Sequence, residues 1–218
     1  LPYIVTIIGL SNYGIISFSL SIIMYFNILV NFGFNLLAPK ILAENKDDNK
    51  KISEIFSSII IIKLFFLTLC ICVIYFLIQI IPIFYEHKNI YLFTTTILIG
   101  NALFPTWFFH GMERVKFITI INFVIKIVYT VLILLLLNEK EDYFLVPLIN
   151  GITLFIGSIF SILLIKKNLD INFHIPKNII LKKYIRESYQ FFLSDLSTLG
   201  GRHYAITIIG FNFGNDLV

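Results

Sequence analysis

Apolar runs of about twenty residues alternate along the chain with short gaps that are polar and mostly basic. A helix needs about 20 mostly apolar residues to cross the hydrocarbon core of a bilayer. The pattern therefore predicts a stub at Leu1–Ile8, then crossings at Ile15–Ile41, Ser58–Ile81, Tyr91–His110, Phe117–Leu137, Phe144–Ile165 and Tyr189–Phe211. These segments are apolar nearly all round, as lipid-facing and bundle helices are. The opening run is too short to span, and no basic n-region, apolar h-region and small-residue cleavage site mark it as a signal peptide. The chain does not start with Met, and Asn212–Val218 stop just after a helix. It reads as a fragment, cut inside its first helix and again after its seventh.

Composition agrees with the pattern. Of 218 residues, 58% are hydrophobic and 14% charged, with a mean hydropathy of +0.89, whereas soluble domains carry about 25% charged residues. The net charge of +4 fits cationic loops beside anionic lipid; with no RNA- or DNA-binding motif, nucleic acid is not expected as a partner. Lysine and arginine alternate between loops: four from Lys40 to Lys51, two at Arg114 and Lys116, and six from Lys166 to Arg186, against single residues at Lys88 and Lys140. By the positive-inside rule the basic loops are cytoplasmic.

Polar groups inside crossings are costly and mark function. Lys126 lies near the midpoint of Phe117–Leu137, and Thr119, Asn122, Lys126, Tyr129 and Thr130 fall within about a 100° sector of that helix. This stripe is expected to face a protein interior or a wet cavity. In the second crossing Asn27, Asn31 and Asn35 recur at i, i+4 and i+8, a spacing that serves either interhelical bonding or the lining of a pore. Lys63 lies one or two turns inside its helix and is expected to snorkel. The seventh crossing places Asp195, Thr198 and Arg202 on one face, with Gly200-Gly201 before the arginine; a structural charge pair and an anion contact both fit. Pro105 is expected to kink the fourth crossing and Trp107 to sit in the interfacial belt. The stretch Pro176–Arg186 (PKNIILKKYIR) reads as a surface-lying amphipathic helix.

Motifs for catalysis, cofactors and metals are missing: there is no nucleophile elbow, P-loop or Rossmann glycine pattern. Cys70 and Cys72 read as small apolar residues, the four histidines lack ligand spacing, and Asp47-Asp48 belongs to a solvated, mixed-charge loop.

Several segments, in order, resemble the bacterial polysaccharide repeat-unit flippases, the O-antigen transporters of the multidrug/oligosaccharidyl-lipid/polysaccharide exporter superfamily. They are LPYIVTIIGLSNYG, NFGFNL, KISEIFSSIIIIK, LFPTWFFHGMERVKFITIIN and FLVPLIN. The most specific is P-x-W-F-F-x-G-x-E-x-x-K, from Pro105 to Lys116, in which His110 stands where the family has glutamine and Arg114 at a neutral position. The resemblance implies an all-α, polytopic membrane helix bundle: a MATE-like lobe of about six crossings over residues 1–165, a cytoplasmic linker at 166–186, and the first helix of a second lobe at 187–218. It implies a multi-pass protein of the bacterial inner membrane, without cofactor, that flips undecaprenyl-diphosphate-linked oligosaccharide through a central cavity. Its partners would be that glycan lipid, membrane lipids and the polysaccharide polymerase machinery. Midplane cations replace the anion's lost hydration, so Lys126 and Arg202 are substrate-binding candidates together with Asp195, Asn31, Asn35 and Asn122. Rival readings are a lipid-linked peptidoglycan-precursor flippase or a drug/cation antiporter of the same superfamily, and, in another class, a glycan polymerase, which would carry a large hydrophilic loop.

Overall fold

The computed structural model describes the backbone of residues 2–169 and 171–213, and the side chains of 2–167 and 171–198. Every regular element among them is helical: α1 (Pro2–Asn31), α2 (Phe34–Glu44), α3 (Asn49–Ile80), α4 (Pro82–Glu86), α5 (Lys88–Leu103), α6 (Thr106–Gly111), α7 (Val115–Leu136), α8 (Leu145–Leu169) and α9 (Asn178–Phe213), with a 3-10 turn at Lys140–Phe144 before α8. The chain is a polytopic helical bundle. Five stretches are long and apolar enough to cross a bilayer: Pro2–Glu44, Asn49–Ile80, Lys88–Gly111, Val115–Leu136 and Lys140–Lys167. Each contains or closely overlaps one predicted crossing, and the predicted seventh lies within α9.

Local chemistry sets the breaks. α1 is two helical pieces joined at Gly9, whose backbone (φ 80, ψ 165) leaves helical geometry directly after the predicted stub. At the other end of α1 the chain turns through Phe32 (φ 43) and Gly33 (φ 74), both left-handed, before α2 begins. Asp48 starts α3 by accepting the backbone N–H groups of Lys50 and Lys51, each at 3.0 Å, which satisfies donors that an N-terminus leaves open. Pro105 does more than kink its crossing: α5 ends at Leu103, and a new helix, α6, starts at Thr106. PKNIILKKYIR is not a separate surface helix. From Asn178 on it forms the start of α9, continuous with the predicted seventh crossing, and its Tyr184 is buried. Physically, Ile180, Leu181 and Ile185 find an apolar neighbour in the core around α2 and α3 and so need no lipid surface.

The three basic segments gather at one end. Lys46 pairs with Glu113 at 2.6 Å, and the backbone N–H groups of Asn172 and His174 donate to the hydroxyls of Ser53 and Ser57 at 3.2 and 3.0 Å. At the opposite end the Tyr3 hydroxyl reaches the Leu137 carbonyl at 3.4 Å and the Asn12 amide reaches that of Lys140 at 3.3 Å. The buried core spans the distance between. Trp107, Phe108 and Phe56 lie toward the basic end, Phe18, Leu98 and Phe84 form a second cluster, and Ile8, Ile133 and Ile149 form the third at the far end.

The tightest seam joins α5 to α8. A Cβ on Gly151 would sit 1.8 Å from the Thr96 hydroxyl and 2.7 Å from the Thr96 carbonyl carbon. One on Gly100 would meet Leu154 at 2.7 Å, and the Ser158 hydroxyl donates to the Gly100 carbonyl at 2.8 Å. In lipid, helices gain by close backbone approach and hydrogen bonds more than by apolar burial, which explains the small residues here. By contrast α7 buries only Ile121, Ile125 and Ile133 and leaves Phe123, Leu134 and Leu135 exposed, a face suited to lipid. A Cβ on Gly157 would meet side-chain atoms alone, Ile125 Cδ1 at 2.3 Å and Cγ1 at 2.8 Å and Ile121 at 3.7 Å, and no backbone. Gly151→Ala should therefore lower the melting temperature of the detergent-purified protein clearly, by an overpacking cost of about 1–3 kcal/mol, and Gly157→Ala by less. Scanning fluorimetry checks the ranking; equal shifts would mean that the α5–α8 seam can open freely.

Candidate functional site

The polar stripe of α7 lies on its outer side. Asn122, Lys126 and Thr130 are exposed, Tyr129 is half-buried against the far-end core cluster, and the helix rests on α8 through Ile121 and Ile125 and also packs on α6. The Lys126 ammonium stands 5.7 Å from the centre of the Tyr129 ring, a cation–π contact within its own helix. Among the described residues no second wall closes the stripe into a cavity.

The asparagine ladder is divided. Asn31, 7% exposed, donates to the Asn27 carbonyl at 2.8 Å and to the Asn27 side chain at 3.1 Å. Asn35 follows the left-handed turn and belongs to α2, where it is exposed. The spacing i+8 marks one face only in an unbroken helix, and the Phe32–Gly33 turn breaks this one.

At that turn three rings stack. Phe32 lies 4.6 Å from Phe66 of α3 and 4.7 Å from Phe192 of α9, at interplanar angles of 16° and 15°. The stack fixes the level of three helices, with residues rising about 1.5 Å each along their axes. Asp195 comes three residues after Phe192 as α9 leaves the basic end, which places it at about the level of the Asn27–Asn31 pair on α1. It is half-buried. Arg202 lies on the described backbone of α9, but its side chain is outside the described residues. α7 packs on α6 and α8, whereas α9 packs on α1, α2 and α3, so Lys126 and Asp195 belong to different seams.

Lys63 departs from expectation. It does not snorkel: it is 1% exposed, and its ammonium has no hydrogen-bond partner among the described residues. It lies one turn before Phe66 on α3, on the basic side of the ring stack. At about 21 Å along the axis from Asn49, its stem is too short to reach the helix end. The apolar run IIIIKLFFL concealed this residue, because a lone lysine near a helix end and one sealed between helices look alike in sequence. What separates them is packing: Ile59, Ile60 and Ile62 are buried with Lys63, whereas the next two residues, Leu64 and Phe65, are exposed.

Trp107 is likewise core, not belt. It is 0% exposed and packs against Phe56 and Phe108, with ring centroids at 5.7 and 5.9 Å. The whole Pro105–Lys116 stretch acts as a clamp on α2. Trp107 and Phe108 fill the core, a Cβ on Gly111 would strike Leu42 at 2.7 Å, and Glu113 adopts φ 55 to meet Lys46. The Lys46 ammonium beside Glu113 holds its carboxyl below the usual range. No group of three or more His, Cys, Asp or Glu side chains among the described residues is placed to hold a metal ion.

Comparison with known proteins follows the same outline. The family model described as "Polysaccharide biosynthesis protein" matches residues 1–211. A protein of Shigella dysenteriae named "Putative O-antigen transporter" is 29% identical over 226 residues, covering 100% of this chain and 54% of that protein. One of the same name from Escherichia coli (strain K12) is 28% identical over 141 residues, covering 65% of this chain and 34% of that protein. The chain thus spans about half the length of the first relative. No solved structure matches it.

Two outcomes follow from this geometry. A buried cation without a partner costs several kcal/mol that an apolar side chain of similar length does not. Lys63→Met should raise the melting temperature of the purified protein, and a fall would reveal a partner for the ammonium. The Lys46–Glu113 pair has the opposite, acid-sensitive signature. Because the folded carboxyl titrates below its unfolded value of about 4.3, its contribution is present above that pH and is lost as pH falls through the folded value. The gap in melting temperature between wild type and Glu113→Gln should close on acidification below about pH 4, which melting curves in a pH series would test.

Proposed function

The chain belongs to the polysaccharide biosynthesis protein family, and from that premise we propose that it is part of a transporter which flips undecaprenyl-diphosphate-linked oligosaccharide repeat units across the bacterial inner membrane for O-antigen or other surface polysaccharide. The observation that carries this reading is the family match across residues 1–211. The names of both relatives support it, as does a bundle with five stretches able to cross a membrane. In this reading the basic end faces the cytoplasm, residues 1–165 form the first lobe, and α9 opens the second across the linker at 166–186.

The task explains the chemistry sought. A polar glycan and an anionic diphosphate must pass the hydrocarbon core, where an ion without its hydration shell is prohibitively costly. Lys126 and Asn122 on α7, Asn31 and Asn35 on α1 and α2, and Asp195 and Arg202 on α9 are the proposed contacts. Lys63 is a further candidate, acting by its charge from behind the surface, because a sealed lysine at membrane depth with no partner among the described residues is hard to explain by packing. The α7 stripe would act from the outer side of the lobe, toward chain beyond the described residues.

The test is complementation. In a cell lacking its own flippase, the complete protein should restore surface polysaccharide, and its loss should strand lipid-linked repeats in the inner leaflet. Lys126→Ala should abolish transport at normal abundance, while Lys126→Arg should keep part of it, because potential matters more than one geometry. Full transport by the Lys126→Ala protein would remove that residue from the site. Incorporation of labelled sugar from a sugar nucleotide by the purified protein would overturn the transporter reading itself.

A further inference from the structure

At the basic end, α2 and α9 diverge around a cleft of about 860 Å³. One charged row lines each wall: Lys40 and Glu44 at i, i+4 on α2, and Lys182 and Arg186 at i, i+4 on α9, with Lys183 and Glu187 beside them. Four cations thus face two acids. Lys183 stands 3.8 Å from Glu187, whereas Lys40, Lys182 and Arg186 have no carboxylate within 4.0 Å among the described residues. The cleft therefore presents a net positive charge whose carriers are largely uncommitted.

The walls are held from behind. Tyr184 and Ser188 of α9 are buried, and the Ser188 carbonyl would lie 2.6 Å from a Cβ on Gly33, so the two helices meet in backbone contact at the closed end of the cleft. Apolar side chains share the lining: Leu37 and Ile41 from α2, Ile179 and Phe191 from α9. A site for a free anion has no use for these, and a site for a lipid tail has no use for three cations left without a carboxylate among the described residues. The combination suits an amphiphile with a highly charged head.

We propose that this α2–α9 cleft docks the diphosphate head of a polyprenyl lipid at the basic face, before the transport step. Lys40 and Lys182 supply potential from the two walls. Arg186 supplies the planar fork that binds two phosphate oxygens at once. The apolar lining receives the first isoprene units. This assignment rests on the transporter reading for the identity of the lipid, and it adds a site distinct from the membrane-depth residues named above.

Direct binding tests it separately from transport. The complete protein in nanodiscs of neutral lipid is titrated with undecaprenyl diphosphate, and binding is followed by native mass spectrometry. Lys40→Gln/Lys182→Gln/Arg186→Gln should weaken binding at least tenfold with an unchanged melting temperature, since all three side chains are exposed. The Arg/Arg/Lys exchange at the same positions should keep most of it, and Lys183→Gln, already engaged by Glu187, should lose less than the triple variant. Inorganic pyrophosphate should compete only at far higher concentration, and phosphatidylglycerol at 20 mol% should not displace the ligand. Equal affinity in the triple variant would overturn the site. Competition by pyrophosphate at matching concentration would show a soluble-anion site, and displacement by phosphatidylglycerol a general anionic-lipid surface; either would overturn the assignment. If wild type binds through these residues but fails complementation, the cleft stands and the transport reading falls. The reverse result removes only the cleft.

Discussion

The left-handed turn at Phe32–Gly33 is the constraint from which the rest of the bundle is arranged. Two consecutive residues at positive φ are required to swing α2 away from α1, and only the second is a glycine. The cost at Phe32, of order 1 kcal/mol or more for a bulky residue, is offset because the turn carries its ring between Phe66 and Phe192. The same turn brings the Gly33 backbone within contact distance of α9. One local distortion thereby ties α1, α2, α3 and α9 at a single level. A continuous helix would leave Phe32 without its two neighbours and α9 without a seat.

That level also sorts the polar groups. On the basic side of the ring stack lies the sealed Lys63; on the other lie the Asn27–Asn31 pair and Asp195. Such groups are not tolerated at membrane depth by accident, because each must find partners or forfeit stability. Asn31 solves the problem within its own helix, by bonding to Asn27. Ser19 and Thr94 solve it across helices, with oxygens 3.1 Å apart. Lys63 finds no partner among the described residues. A buried cation that burial disfavours, set among apolar neighbours, has the character of a functional group kept at a structural cost.

Much of the architecture was legible in the apolar runs because bilayer thickness imposes a length that no soluble fold demands. Ile15–Ile41, Ser58–Ile81, Tyr91–His110, Phe117–Leu137 and Phe144–Ile165 each contain or closely overlap a crossing-length stretch for that reason, though the first and third are broken inside, at Phe32–Gly33 and at Phe104–Pro105. The break after the opening stub was legible too, at Gly9. What escaped was everything set by neighbours. Hydropathy cannot distinguish a tryptophan at the lipid boundary from one packed on Phe56, nor a snorkelling lysine from a sealed one. It could not reveal that Asn35 leaves the ladder, because the turn that removes it is stabilised by Phe66 and Phe192, distant in sequence. PKNIILKKYIR reads as a surface helix in isolation, and only contact with the core shows that it continues into the next crossing. Of the candidate site, periodicity groups the α7 stripe on one sector but does not say what that sector meets: Asn122, Lys126 and Thr130 are exposed and only Tyr129 is half-buried.

The most specific sequence pattern in the chain invites a functional reading, and its geometry gives a mechanical one. In the Pro105–Lys116 stretch the proline ends α5, the tryptophan and first phenylalanine fill the core, the glycine admits α2, and the glutamate holds Lys46. His110, standing where the resembling family has glutamine, is exposed at the end of α6 and takes no part in that clamp. The clamp positions α2, and α2 is one wall of the basic cleft. A family-specific motif can therefore act through packing alone: this one fixes the wall on which Lys40 stands. The charges that would meet an anion are carried by Lys40, Lys182 and Arg186, residues that no motif singled out and that only the packing of α2 beside α9 brings to face one another.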